Sequence, residues 1–218
     1  MLEAVIFDMD GTMVDSLPHH HKSWDVFFEM QGIKMEPAAF DRIHHGTLYD
    51  IMPRIFGSHL TQQESYALGM IKEQAFRELY KNDIQPLTGL LTLLQQIKAA
   101  GLKIGLATAA DNTNVDFTLD ALGIRYFFDA IVSSDMVKEG KPSPAVYLQT
   151  AQLLSVMPAK CLVFEDTASG VEAAIAAGMK VVGITTGLSQ AQMMQLGVVA
   201  AFANFDGLKV SELSKIFA

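Results

Sequence analysis

A single cysteine, Cys161, stands among 218 residues, so no internal disulfide can staple the fold. That scarcity fits a reducing, cytoplasmic setting and excludes a disulfide scaffold. Basic residues are also few. Sixteen Lys and Arg against 24 Asp and Glu leave a net charge of −8, the wrong sign for a nucleic-acid surface. Charged residues make up only 18% of the chain and apolar ones 50%, a balance that excludes disorder. Long hydrophobic runs are missing as well. The most apolar stretches, 102–110 and 197–203, fall short of the roughly 18 residues that a membrane span needs. No membrane partner is expected. The N-terminus enters a strand pattern without the basic region or cleavage site of a signal peptide, so none is expected. A chain of this length can bury about 70% of its unfolded surface and needs no staples. A monomer is expected.

What is present is an alternation. Short apolar, β-branched runs at 3–7, 103–107, 130–132, 161–164 and 180–184 predict buried strands, with a weaker one at 198–202. Between them lie helical spacings. Leu90, Leu91, Leu93, Leu94 and Ile97 precede the helix stop Gly101, and Val115, Leu119 and Leu122 precede Gly123. Val146, Leu148, Leu153 and Leu154 form another helix, and Val171, Ala174 and Ile175 precede Gly178. The alternation predicts an α/β fold, a Rossmann-like, doubly wound parallel sheet covered on both faces.

One stretch interrupts it. About 68 residues from Asp15 to Asn82 carry no strand pattern, where a crossover needs only about a dozen. Helical patterns fill the stretch: Trp24, Phe27 and Phe28; Ile51, Ile55 and Phe56; Leu68, Ile71, Phe76 and Leu79. The expected organisation is a core from 1–14 and 85–218, with a helical domain inserted at 15–84.

In an open parallel sheet, ligands gather outside the carboxyl ends of the strands. The first predicted strand ends in Asp8-Met9-Asp10-Gly11-Thr12, the second in Thr108-Ala109-Ala110-Asp111-Asn112. The loop after the third ends in Lys141-Pro142, and the fourth strand runs into Glu165-Asp166. Four carboxylates on one edge require a cation, because burying like charges together is costly. Carboxylate oxygens select Mg²⁺, which keeps waters and leaves room for a phosphate. Thr108 and Lys141 suit phosphate ligation, and Gly11 lets the backbone turn sharply behind Asp10. The constellation points to Mg²⁺-assisted phosphoryl transfer. Blander readings stand beside it. Asp-Gly is a turn signal, and Asp166 or Thr167 could simply cap a helix starting near Ala168. Cys161 opens an apolar strand and is expected to be buried and inert.

These residues, in this order, resemble the four motifs of the haloacid dehalogenase superfamily. The helical insert resembles the C1 cap of its beta-phosphoglucomutase-like branch. The resemblance implies a small phosphorylated metabolite, most simply a sugar phosphate, as substrate. It implies Asp8 as the nucleophile that becomes an aspartyl phosphate and Asp10 as the general acid and base. Thr108, Ala109, Lys141 and Asn112 match phosphate-binding positions. Asp8, Asp10, Asp166 and Glu165 match the metal site for Mg²⁺. In the cap, His20, Trp24, His45, Gly46, Thr47 and Tyr49 are the candidates for substrate specificity. Trp24 fits the cap core equally well.

Phosphatase and mutase share their first half and differ in what takes the phosphoryl group from Asp8. The mutases of this branch hold a second phosphate with a cap arginine and a Ser-Lys pair after the second motif. Here Tyr49, Ala110 and Asp111 stand at those positions, and an aspartate would repel a second phosphate. His20 and Trp24, which match mutase positions, argue the other way. Hydrolysis is the expectation, with a phosphohexomutase as the alternative. A non-enzymatic phospho-acceptor module is the remote rival. It would lack the helical insert and carry its acceptor Asp after a middle strand. A metal-free dehalogenase has no need of Asp10, and a dead scaffold has no support when every catalytic position is filled.

Overall fold

The computed structural model describes residues 1–40, 42–43 and 47–217, with only the backbone described at Tyr49. The chain divides into two compact units, Met1–Asp15 with Ile84–Ala218, and Ser16–Asp83.

The larger unit is built on β1 (Ala4–Phe7), β2 (Lys103–Ala107), β3 (Ala130–Val132), β4 (Cys161–Glu165), β5 (Lys180–Ile184) and β6 (Ala200–Phe202). They form one sheet in the order β3-β2-β1-β4-β5-β6, and every neighbouring pair is parallel. The Rossmann-like, doubly wound fold expected from the alternation is the fold observed. The strands are buried on both faces, which is why they read as unbroken apolar runs. Side chains alternate between two cores. Val5, Phe7, Ile104, Leu106, Leu162 and Phe164 point to one. Ala4, Ile6, Ala107, Cys161 and Val163 point to the other. In the first, the Phe7 and Phe164 rings stack at 5.1 Å and Phe205 meets both edge-on. Each such fully buried side chain contributes roughly 1.5–3 kcal/mol by leaving water.

Helices α5 (Leu90–Ala99), α6 (Asn112–Leu122) and α10 (Val210–Phe217) supply apolar residues to the first core. Helices α7 (Ala145–Leu154), α8 (Ala168–Ala176) and α9 (Gln190–Gln195) supply the second. The helix expected from Val146, Leu148, Leu153 and Leu154 is α7, but those residues do not share one buried face. Leu148 and Leu153 are 42% and 52% exposed, whereas Val146, Tyr147, Thr150, Ala151 and Leu154 are buried. Leucines on several sides of this helix blur its period. Thr150 is buried without penalty because its hydroxyl donates to the Val146 carbonyl at 2.8 Å. Cys161 is buried, and that burial pushes its thiol up to about 11, so it is inert.

The smaller unit contains α1 (Leu17–Met30), α2 (Pro37–Phe40), α3 (Leu48–Phe56) and α4 (Gln62–Tyr80). Ser16 and Pro18 start α1, and a reciprocal Thr61–Glu64 box starts α4. Trp24, Phe27, Phe28, Phe40, Ile51 and Met52 form its core. No described helix is long and apolar enough to cross a membrane.

The strand order reverses between β1 and β4. Ligand crevices form at such a switch point, outside the carboxyl ends of the strands. Register sets Phe7 beside Phe164, so the residues that follow them, Asp8 and Glu165, emerge side by side there.

Candidate active site

Asp8 leaves β1 with its N–H bonded to the Phe164 carbonyl at 3.0 Å. The chain then turns tightly. Met13 N–H reaches back to the Met9 carbonyl and Gly11 N–H to the Val14 carbonyl, both at 2.8 Å. Gly11 has φ +78°, and a Cβ there would sit 2.0 Å from Asp166 Oδ2. Both the left-handed backbone and the close carboxylate require glycine. The Thr186 hydroxyl donates to the Gly11 carbonyl at 2.5 Å and ties the turn to the loop after β5.

Four sequence-predicted groups converge on this turn. Asp8, Lys141, Glu165 and Asp166 are all buried. Lys141 Nζ donates to Asp8 Oδ1 at 2.6 Å, to Glu165 Oε1 at 2.5 Å and to the Ala107 carbonyl at 3.3 Å. Oxygens of Asp8, Glu165 and Asp166 lie within 4.8 Å of one another. Three carboxylates thus face one ammonium, which leaves two negative charges, the charge that one divalent cation cancels. Titration reflects the deficit. Burial pushes the Asp8 carboxyl up to about 8; Lys141 opposes the rise, while Glu165 and Asp10 add to it. Burial, then the charges of Glu165 and Asp8, holds Asp166 well above the usual carboxylate range. Burial would lower Lys141, but Asp8 and Glu165 outweigh it and hold the ammonium charged. Burial would likewise raise Glu165, but Lys141 and its other donors hold it below the ordinary value.

Asp166 gives the most direct test of a metal. Its Oδ1 accepts from the Thr12 hydroxyl at 3.0 Å. Its Oδ2 is buried and has no hydrogen-bond partner among the described residues. Ionising such an orphaned oxygen is costly unless a cation meets it, which is why the carboxyl holds its proton without one. Oxygen donors in a tight buried cluster suit Mg²⁺, and the site fits the ion.

The rest of the expected phosphate site sits on the neighbouring strand end. Thr108 is buried, and its hydroxyl accepts from the Ala110 N–H at 3.1 Å. Ala109 is exposed, and Asp10 is half-buried in the turn. Asn112 opens α6, where its side-chain oxygen accepts from the Ser133 hydroxyl at 2.8 Å. Two carboxylates occupy the N-terminus of that helix. Asp111 Oδ1 caps the Asn114 N–H at 2.8 Å, and Asp135 Oδ2 takes the Asn112 N–H at 2.9 Å.

In the helical unit, Trp24 is 2% exposed and packs its ring on Phe27, Phe28 and Phe40. It is a core residue there. His20 stacks on Phe76 at 3.7 Å, and its Nδ1 lies 2.7 Å from Lys72 Nζ, which also pairs with Glu73 at 2.9 Å. Thr47 starts α3, and both its N–H and hydroxyl donate to Asp50 at 2.8 Å. His45, Gly46 and the Tyr49 side chain lie outside the described residues.

Sequence reasoning missed Tyr147, whose hydroxyl donates to Glu165 Oε1 at 2.8 Å, and the part played by Asp135. Neither carries a sequence signal beyond a generic helix or turn. Lys72 did carry one. It falls four residues from both Leu68 and Phe76, on the apolar face of its helix.

The sequence profile of the haloacid dehalogenase-like hydrolase family matches residues 5–184. The chain is 32% identical over 183 residues to fructose-1-phosphate phosphatase YqaB of Escherichia coli, covering 83% of this chain and 95% of that one. It is also 32% identical over 197 residues to beta-phosphoglucomutase of Bacillus subtilis, covering 85% and 84%. A solved HAD hydrolase of family IA, variant 3, from Entamoeba histolytica is similar in structure. Its TM-score is 0.89 at 26% identity, with 99% of each chain covered. The chain belongs to the haloacid dehalogenase-like hydrolase family, in its beta-phosphoglucomutase-like branch. Its enzyme class is the HAD-type phosphatase, with the intramolecular phosphotransferase as the alternative.

Proposed function

We propose that this protein is a Mg²⁺-dependent phosphatase of a small sugar monophosphate that works through an aspartyl phosphate on Asp8. The observation that carries the reading is the buried Asp8–Lys141–Glu165–Asp166 cluster, two positive charges short when all four groups are ionised and with an orphaned oxygen on Asp166. Asp8, Asp10 and Asp166 would hold Mg²⁺, which would lower the proton affinity of Asp8 and offset charge on the phosphoryl oxygens. Thr108 and Lys141 bind and orient the phosphoryl group. An Asp8 oxygen attacks phosphorus, the bond from phosphorus to the sugar oxygen breaks, and Asp10 protonates that oxygen. Asp10 then takes a proton from water as the water attacks phosphorus. Inorganic phosphate leaves and Asp8 is restored. The helical unit, read as a C1 cap spanning 15–84, would select the sugar and exclude bulk water during the first half.

Water as the acceptor, rather than a phosphorylated sugar, is supported by the N-terminus of α6. A helix N-terminus beside the phosphate motif would ordinarily attract a second anion. Here Asp111 and Asp135 already take two of its N–H groups, those of Asn114 and Asn112, and add two negative charges. The relatives named above include a fructose-1-phosphate phosphatase, which agrees with a sugar monophosphate as substrate.

The test is phosphate release over a panel of sugar monophosphates, with β-glucose 1-phosphate included and glucose 6-phosphate monitored. Asp8→Asn is expected to abolish release with the fold intact, and EDTA to stop the wild type until Mg²⁺ is restored. Release by Asp8→Asn at the wild-type rate would refute the nucleophile. Isomerised sugar phosphate without free phosphate would make the enzyme a mutase.

A further inference from the structure

Glu165 makes an unusual number of contacts for a carboxylate at a metal site. Its Oε1 accepts from Lys141 Nζ at 2.5 Å and the Tyr147 hydroxyl at 2.8 Å. Its Oε2 accepts from the Asp166 N–H at 2.9 Å, the Thr167 N–H at 3.0 Å and the Thr167 hydroxyl at 3.1 Å. A carboxylate offers about four lone-pair directions, and five donors fill them. A Cβ at Gly170 would lie 1.7 Å from Oε1, so the first turn of α8 closes that side as well. Lys141 is equally committed. Its three N–H groups point to Asp8, Glu165 and the Ala107 carbonyl, and its ammonium lies 5.0 Å from the centre of the Tyr147 ring. Tyr147 therefore touches the pair twice, through its hydroxyl and through its ring, and it is fully buried.

We infer that Tyr147 is a positioning residue for Lys141, acting through Glu165, and that Glu165 serves the lysine rather than the metal. By sharing Oε1, the Tyr147 hydroxyl weakens the hold of Glu165 on the ammonium and leaves more of its charge for Asp8. The ring under Nζ blocks the alternative in which the lysine swings onto Glu165 alone. Lys141 stabilises charge that develops on the phosphoryl oxygens, so its aim matters most in the transition state. The inference rests on the phosphatase reading above.

The experiment compares the wild type with Tyr147→Phe, which keeps the ring and loses the hydroxyl. It uses the full chain and the sugar monophosphate turned over fastest, with Asp8→Asn run alongside. Tyr147→Phe is expected to lose about tenfold in kcat, with KM within twofold and an unchanged half-saturating Mg²⁺ concentration. That split marks an interaction made in the transition state. Tyr147→Leu should lose more. Unchanged kcat in folded Tyr147→Phe overturns the inference, as does a KM rise that matches the whole loss. Glu165→Gln provides a second arm should Tyr147→Phe fail to fold. It should lower kcat at constant Mg²⁺ dependence; a tenfold rise in half-saturating Mg²⁺ would make Glu165 a metal ligand and overturn the inference. Full activity in Asp8→Asn would instead sink the phosphatase reading, whatever the Tyr147 variants do.

Discussion

Raising the pH of the metal-free protein from 5 to 8 should weaken its fold, against the usual trend for a carboxylate-rich chain. In the folded state Asp8 keeps its proton up to about 8, whereas unfolded it titrates near 3.8. Between those values the native chain binds one more proton than the unfolded one. Stability then falls by about 1.4 kcal/mol per pH unit, or about 4 kcal/mol over three units. Asp166, raised by burial and by its charged neighbours, acts in the same direction. Glu165 is held below 4.5, so its contribution is complete by pH 5 and is lost only on further acidification. A domain is stable by only about 5–15 kcal/mol, and the effect is large on that scale. Mg²⁺ should remove it, because the cation replaces the protons; its stabilisation should grow from pH 5 to pH 8. The assay is urea unfolding at four pH values, in EDTA and in Mg²⁺, followed by far-UV circular dichroism. Fluorescence of Trp24, the only tryptophan, reports the helical unit in the same titration and should show little of the pH dependence. A midpoint in EDTA that is flat or rises with pH would refute the electrostatic account. So would an Mg²⁺ effect of equal size at pH 5 and pH 8.

Two further outcomes are expected. Gly11→Ala forces φ +78° on an L-residue and drives a methyl into Asp166. It should cost about 1–2 kcal/mol from the backbone alone and raise half-saturating Mg²⁺ at least tenfold, read from the Mg²⁺ dependence of turnover. Asp111→Asn keeps the helix cap, since Asn and Asp cap alike, and removes one negative charge at α6. Two charges at about 4 Å are worth about 1 kcal/mol in water, a lower bound for the buried Asp111. Turnover of a bisphosphorylated sugar relative to its monophosphate should therefore rise at least about fivefold, and an unchanged ratio would dismiss the carboxylate pair as the selector.

Much of the sheet was legible because its strands are buried on both faces and flanked by turn residues. Lys103–Ala107, Ala130–Val132 and Lys180–Ile184 fall where the apolar runs put them. The weakest run, 198–202, begins two residues late, at Ala200. The convergence of Asp8, Lys141, Glu165 and Asp166 was legible too, because a parallel sheet sends every carboxyl end to one edge. What each group touches there was not. Donors to Glu165 include backbone N–H groups and a tyrosine from α7, and neither leaves a mark in a residue pattern. The buried face of α7 was hidden for a related reason. Exposed Leu148 and Leu153 outweigh buried Thr150 on any hydropathy count, though the threonine is the residue with a bonded partner inside.

The ends of the helical unit meet the sheet unit at neighbouring points. Val14 bridges Pro86 in antiparallel fashion, and the Leu87 N–H donates to the Met13 carbonyl at 2.8 Å. Chain therefore departs and returns through one hydrogen-bonded stalk. About 68 residues lie between its two sides and contribute no strand to the sheet. Closing such a loop costs free energy that grows only with the logarithm of its length. The stalk acts as a socket: insertions, deletions or wholesale exchange of what it carries would leave the register of β1 against β2 and β4 undisturbed. On the proposed reading, phosphoryl chemistry and substrate choice would then drift at separate rates in one chain, the first held by the sheet and the second free to be replaced.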